Sequence, residues 1–327
     1  MHAGNIQRAL PALQIAPQGV RVTQERLFLR LEEDAVCGPE TDTPAAAFRA
    51  FAVDPALRPY VAQILLYRET FPAGRETLER VLPDGAVRLA FHLGDAPFVG
   101  DGTGDGPGAG PGNGPSGAME AIGAASAPVL VRLRGAIDGL TVTLRPGAAA
   151  ALLGVPAGVI AQTAVQLEDL WGSEVRALRN RLLHTRGDAQ RVAVLQAALL
   201  QRIERVPQAA PDALSARVAR QIAAAGGRLR LRDIASAAGV GERRLQQLFF
   251  QHIGLSPRSL SRLARMHDCL RTLRAQPQPA WGGWADWAVD RGFYDQAHLV
   301  NEFRALAGIT PAQFLRRTVS ESSNTAD

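Results

Sequence analysis

At 327 residues the chain is long enough to bury two separate cores, and its two cysteines, Cys37 and Cys269, lie far apart with no further metal ligands beside them. That argues against a disulfide framework or a zinc site and favours a reducing cytoplasm. The net charge of +5 is unevenly placed: residues 212–317 hold 16 Arg against 8 Asp and Glu, whereas residues 1–211 hold 20 Arg against 21. A cationic excess confined to one part of the chain suits a polyanionic partner that touches only that part.

Residues 1–44 show no clear periodicity; 21–31 suit a short strand or a helix, and 38–44 a turn. No early segment joins a basic start to a continuous apolar core, as a signal peptide would. The richest apolar run, 147–161, is too short and too broken by proline to cross a bilayer, so a soluble protein without a membrane partner is expected.

From 45 to 205 the pattern predicts a β-rich domain with a helical end. Short β-type runs occur at 61–67, 87–93, 129–133 and 140–144. Val87, Leu89 and Phe91 alternate with Arg88, Ala90 and His92, as in a strand with one buried face. Pro83-Asp84-Gly85 reads as a turn, because proline presets φ and glycine accepts a positive value. Arg88, Arg132, Arg134 and Arg145 read first as a solvated sheet face, with an anionic effector pocket as the sharper alternative. His92 and His184 have no Cys, His or acidic pattern beside them that would make either a metal ligand or a general base.

Between the strands, residues 100–117 alternate glycine with other residues as far as Gly114. No helix start follows directly, which rules against a phosphate loop, and Asp101 and Asp105 lack the further oxygens of a calcium loop. A flexible surface insertion is expected.

Helical spacing returns over 158–205. Leu167, Leu170 and Trp171 form a short element, Val175, Leu178, Leu182 and Leu183 one stripe, and Val192, Leu195, Leu199 and Ile203 another. These amphipathic helices either close the N-terminal core or pair with a second subunit in a homodimer. A linker is expected at 206–212.

An all-α domain is predicted over 213–317, with 318–327 as a frayed tail. After a helix at 213–225, one pattern occurs twice, displaced by 54 residues: Leu245, Phe249, Gly254, Ser256-Pro257 and Leu260 fall on Leu299, Phe303, Gly308, Thr310-Pro311 and Phe314. In each copy an apolar stripe ends at a glycine, Gly239 or Gly292, and a second helix follows. Asp295 is a candidate N-cap, and Ser256-Pro257 and Thr310-Pro311 each resemble an N-cap followed by proline at the first helical position. Residues 257–273 would connect the two units, with Leu260, Leu263, Ala264 and Leu270 as the apolar side. Trp284 and Trp287, with Trp281 before them, read as core packing rather than an aromatic cage.

The strings GVGERRLQQLFFQHIGLSP and GFYDQAHLVNEFRALAGITPAQF resemble the paired helix-turn-helix domain of AraC/XylS-type transcriptional regulators. The resemblance implies two recognition helices set into successive major grooves of promoter DNA. It places the base-reading positions on Arg243, Gln246 and Gln247 in the first helix and on Ala297, His298 and Asn301 in the second. Arg244, Gln296 and Arg304 complete the outward set. Arginine suits guanine, and glutamine or asparagine suits adenine, in the major groove. Asn301 stands where the family usually has arginine and Ala297 has no polar reach, so the first helix should discriminate more and the second mainly grip backbone.

RVLPDGAVRLAFHLGD, with LRPGAAAALLGVP and VQLEDLWG, resembles the N-terminal domain that often precedes such a DNA-binding unit. A small β-rich, cupin-like sensor domain with a small-molecule effector is what that implies. The fold class expected is therefore α+β: a β-rich N-terminal domain, a helical connector and an all-α C-terminal domain with two helix-turn-helix units. An enzyme fused to a DNA-binding unit, the rival reading, would need a nucleophile or metal constellation in 1–211, and none stands out. A protein-interaction adaptor is a third reading. No catalytic residue, metal or cofactor is expected.

Overall fold

The computed structural model describes residues 21–29, 40–41, 47–100, 114–115, 117–205, 213–275 and 283–322. Most of the N-terminal segment with Cys37, most of the glycine-rich insertion, the linker at 206–212, Trp281 and the chain end lie outside the described residues.

The first part of the chain is β-rich. Its strands are β1 (Arg21–Leu29), β2 (Glu40–Thr41), β3 (Phe48–Phe51), β4 (Val61–Thr70), β5 (Arg75–Val81), β6 (Arg88–His92), β7 (Phe98–Val99), β8 (Gly114–Pro115), β9 (Met119–Ile122), β10 (Val129–Leu133), β11 (Ala136–Leu144) and β12 (Ala164–Gln166). They form two six-stranded sheets, one ordered β2-β1-β5-β10-β7-β8 and the other β12-β9-β6-β11-β4-β3. All pairings are antiparallel except β1 with β5. Gly114–Pro115, expected inside the flexible insertion, instead pairs with Phe98–Val99.

Four helices follow or interleave: α1 (Ala149–Leu153), α2 (Leu167–Trp171), α3 (Glu174–His184) and α4 (Asp188–Arg205). They cover one face of the second sheet. Ile64 and Leu66 of β4, Leu89 and Phe91 of β6, and Leu140 and Val142 of β11 bury there, in one core with Leu152, Leu178, Leu182, Leu195 and Leu199. The Trp171 indole donates to the Leu152 carbonyl at 2.8 Å, satisfying its one polar atom inside the layer. Between the two readings of the helical stripes, the structure selects closure of the N-terminal core, since Val175, Leu178, Leu182, Val192, Leu195 and Leu199 are all buried within the chain.

The expectation of a single buried face on strand 87–93 is corrected. Ala90 and His92, on the other side, are 2% and 7% exposed, because they line the space between the two sheets and not the outer surface. An alternating strand looks the same whether its polar face meets solvent or a polar cavity.

The C-terminal part is helical: α5 (Ala213–Ala224), α6 (Leu231–Ala237), α7 (Glu242–Ile253), α8 (Pro257–Ala275), α9 (Trp284–Asp290), α10 (Gln296–Ala307) and α11 (Pro311–Ser322). Its buried residues join those of the β-rich part in one continuous core. The joint includes the following contacts. Gly85, at φ +76°, sits under methyl carbons of Leu255, Leu260 and Leu263, each 3.2 Å from where a Cβ would stand, so this turn position takes glycine for space as well as conformation. Beside it the buried His267 donates from Nε2 to the Pro83 carbonyl at 2.8 Å. The end of α7 rests on residues 157–160, where a Cβ on Gly158 would meet the Phe250 backbone.

Candidate DNA interface and ligand cavity

Local signals explain both helix-turn-helix units. Gly239, at φ +69°, turns the chain out of α6, and Gly254 at +86° closes α7 in the left-handed conformation that side chains resist. Leu245 and Phe249 are fully buried and Ile253 nearly so. Helical periodicity then forces Arg243, Arg244, Gln246 and Gln247 to the outside. All four are exposed, and none has a side-chain partner among the described residues.

In the second unit the Asp295 carboxylate accepts from the His298 backbone N–H at 2.7 Å, capping α10. Leu299, Phe303 and Leu306 bury, leaving Gln296, Ala297, Asn301 and Arg304 exposed. His298 is half-buried: its Nδ1 accepts from the Tyr294 backbone N–H at 3.2 Å, and its ring meets Phe293 edge-on at 5.5 Å. Arg304 lies further along the helix and lines a cavity. Tyr294, which sequence reasoning passed over, is 87% exposed directly before the cap. An aromatic in a turn that nothing covers was the available signal.

The connector α8 holds the units together. Ser256 Oγ accepts from the Ser259 N–H at 3.0 Å, and Thr310 and Gln313 form a reciprocal cap at the start of α11. Leu263, Ala264 and Leu270 bury, and Arg262 donates to Glu302 of α10 at 2.7 Å. Trp284 and Trp287 stack edge-to-face at 5.6 Å as packing residues. Cys269 is fully buried, and its thiol is pushed up to about 12 by desolvation.

Between the two sheets lies a cavity of about 1420 Å³, closed on one side by Arg304, Gly308 and Thr310 of the helical part. Strand register lays its floor in rows across the second sheet. One row is Gln63–Thr143–Arg88–Ile122, the next Leu65–Thr141–Ala90–Glu120–Gln166, and the third Tyr67–Gly139–His92. Small residues, Thr141, Ala90 and Gly139, occupy the middle of these rows. Gly139 matters most, since a Cβ there would collide with the Tyr67 hydroxyl, which crosses the strand to share a hydrogen bond with His92 Nδ1 at 2.5 Å.

Burial sets the charge states. Desolvation pushes His92 down to about 4, so it is neutral near pH 7, and it holds the Tyr67 hydroxyl far above its usual range. Desolvation also raises the Glu120 carboxyl, although the Gly117 N–H and the Gln166 amide both donate to it. Arg88 is not a free cation: it forms a two-pronged pair with Asp84, whose Oδ1 also accepts from the Ala86 N–H. Arg132 stacks on Phe98 at 4.3 Å, Arg145 donates to the Arg58 carbonyl, and Arg134 is exposed. His184 donates to its own helix at Asn180 and belongs to no site.

Comparison with known proteins places both parts. Residues 234–317 match a family described as a helix-turn-helix domain, and residues 49–166 match a domain of unknown function, DUF6597. No curated protein matches. Among solved structures the chain is similar to ToxT from Vibrio cholerae, at 10% identity over 83% of this chain and 98% of that one, with a TM-score of 0.40. ToxT bound to (E)-4-(8-methylnaphthalen-1-yl)but-3-enoic acid gives 11%, 83%, 99% and 0.40, and unsaturated-fatty-acid-bound ToxT gives 12%, 76%, 93% and 0.38. These likenesses are distant, and the helix-turn-helix match is what identifies the C-terminal part. The chain carries an AraC-type helix-turn-helix domain behind a β-rich domain and is a DNA-binding transcriptional regulator.

Proposed function

We propose that α7 and α10 enter successive major grooves of promoter DNA, and that occupancy of the cavity between the sheets modulates that binding. The observation that carries the reading is the set Arg243, Arg244, Gln246 and Gln247 on one helix, all exposed and none engaged by the described residues. Arg243, Gln246 and Gln247 would read bases, and Arg244 would meet phosphate. On α10, Asn301 is the polar side chain free to read a base, while His298 is already tied to Tyr294. Gln296 and the Tyr294 hydroxyl would grip backbone, so more discrimination falls to the first helix. Arg304 stands between the two functions, exposed on the recognition helix and lining the cavity.

Within this reading the chain is a cytoplasmic binding protein rather than an enzyme. No described helix is long and apolar enough to cross a membrane. A homodimer would have to use surfaces other than the apolar stripes of α3 and α4, which are buried in the chain's own core. Unbiased binding-site selection at stated salt, followed by footprinting, tests the proposal. One subunit should protect two segments about one helical turn apart. Protection of a single groove would remove α10 from the mechanism.

A further inference from the structure

We propose that the cavity takes a small molecule bearing a protonated amine, seated against Glu120, with a hydrogen-bond acceptor along its body that meets Gln63 and a polar group that meets His92. This rests on the regulator reading and names a ligand class for its sensor cavity.

The first observation is an imbalance in the lining. Glu120 is 7% exposed, yet no arginine pairs with it among the described residues. Its Oε1 takes hydrogen bonds from Gly117 and Gln166, and Oε2 has no partner among the described residues. A carboxylate drawn from water without a cation is costly, and a ligand ammonium would remove that cost. The arginines that could have done so are committed elsewhere. Arg88 is paired with Asp84, Arg80 with Glu25, and Arg68 with Asp138 and Asp188.

The second observation is independent. Gln63 is 8% exposed, lines the same floor, and its Nε2 has no hydrogen-bond partner among the described residues. A buried amide donor left open in a cavity calls for an acceptor from outside the chain. Neutral His92, with Nδ1 bonded to Tyr67, leaves Nε2 as a further polar atom on the same floor, donor or acceptor according to tautomer. Gln63 and Glu120 stand on β4 and β9, three strand spacings apart, or about 14 Å between backbones. Their side chains can therefore meet opposite ends of one elongated molecule. Phe28, Val81, Leu130 and Leu133 supply apolar surface for its body.

The competing class is an organic anion held by Arg304, the lining arginine that has no ion-pair partner among the described residues. Such a ligand would leave Glu120 facing like charge or empty space.

The test uses the full-length chain and matched amines, alcohols and carboxylates on aryl and alkyl bodies of graded length, followed by thermal shift and isothermal titration. The amine of at least one set should bind and raise the melting temperature, and Glu120→Gln should weaken it by about tenfold or more while leaving the protein folded. Gln63→Leu, in a second variant, should weaken amines that carry an acceptor and spare those that do not. The proposal is overturned by equal binding of amine and alcohol, by preference for the carboxylate, by loss on Arg304→Ala but not on Glu120→Gln, or by no binding from any member. DNA mobility shift on the same preparations reports the regulator reading separately, so one can fail while the other stands.

Discussion

On α7 the long polar side chains Arg243, Arg244, Gln246 and Gln247 face outward with no side-chain partner among the described residues, whereas on β4, β6 and β9 Gln63, His92 and Glu120 turn inward onto a cavity. Both sets are polar and both lie opposite an apolar stripe. What separates them is what packs on the second face: solvent in one case, another sheet in the other. An outward set stays in contact with solvent and is ready for a large polyanion. An inward set has its charge states shifted by desolvation and suits a small molecule.

The sharpest way to break this contrast is to attack the packing beneath the outward set. Phe249→Ala should cost about 3–5 kcal/mol, since the ring is fully buried where the core of the helical part joins the rest. Chemical denaturation followed by circular dichroism would read it, and a much smaller loss would mean that the two parts do not share a core.

Next comes pH. The folded state holds His92 at about 4, below the usual 6.5, so the unfolded chain takes up a proton first as the solution is acidified. Stability associated with His92 should be fully present above about pH 6.5 and fall toward pH 4, by on the order of 3 kcal/mol. Glu120 acts oppositely, because its raised carboxyl gains a proton earlier in the folded state. The measurement is therefore the difference between the wild type and His92→Gln across that interval. Parallel curves would place His92 in water.

Arg243→Ala should weaken binding to the preferred site by about 1–3 kcal/mol and relax one base position, with folding stability unchanged. Equal weakening on random DNA would show that Arg243 touches only backbone. The smallest effect is expected at Asp295→Ala, about 1 kcal/mol of stability from the lost cap on α10, read by thermal unfolding. A null result there would mean that another group satisfies the His298 N–H.

Much of the helical part could be read from the sequence because its signals are local. Gly239 and Gly254 stop helices, Ser256-Pro257 and Thr310-Pro311 start them, and Asp295 caps one, each within a few residues of what it controls. The β-rich part was harder. β5 escaped notice because Glu76 and Glu79, both buried, break any simple apolar alternation. β9 is four residues long, with Glu120 between Met119 and Ala121. A carboxylate flanked by apolar residues in a short strand was the one hint of the cavity floor. Gly139 was equally silent until Tyr67 and His92 were seen to meet across it.

The amino-acid sequence alone determined the two helix-turn-helix units, their outward side chains and the cationic bias of that part, because helical periodicity and capping act over a few residues. Only the tertiary structure decided that the polar face of strand 87–93 is a cavity wall, that Arg88 is neutralised by Asp84, and that the turn at Gly85 docks on α8. Those depend on strand register and on which surfaces meet, and contacts between residues far apart in the chain leave no periodic trace in either partner.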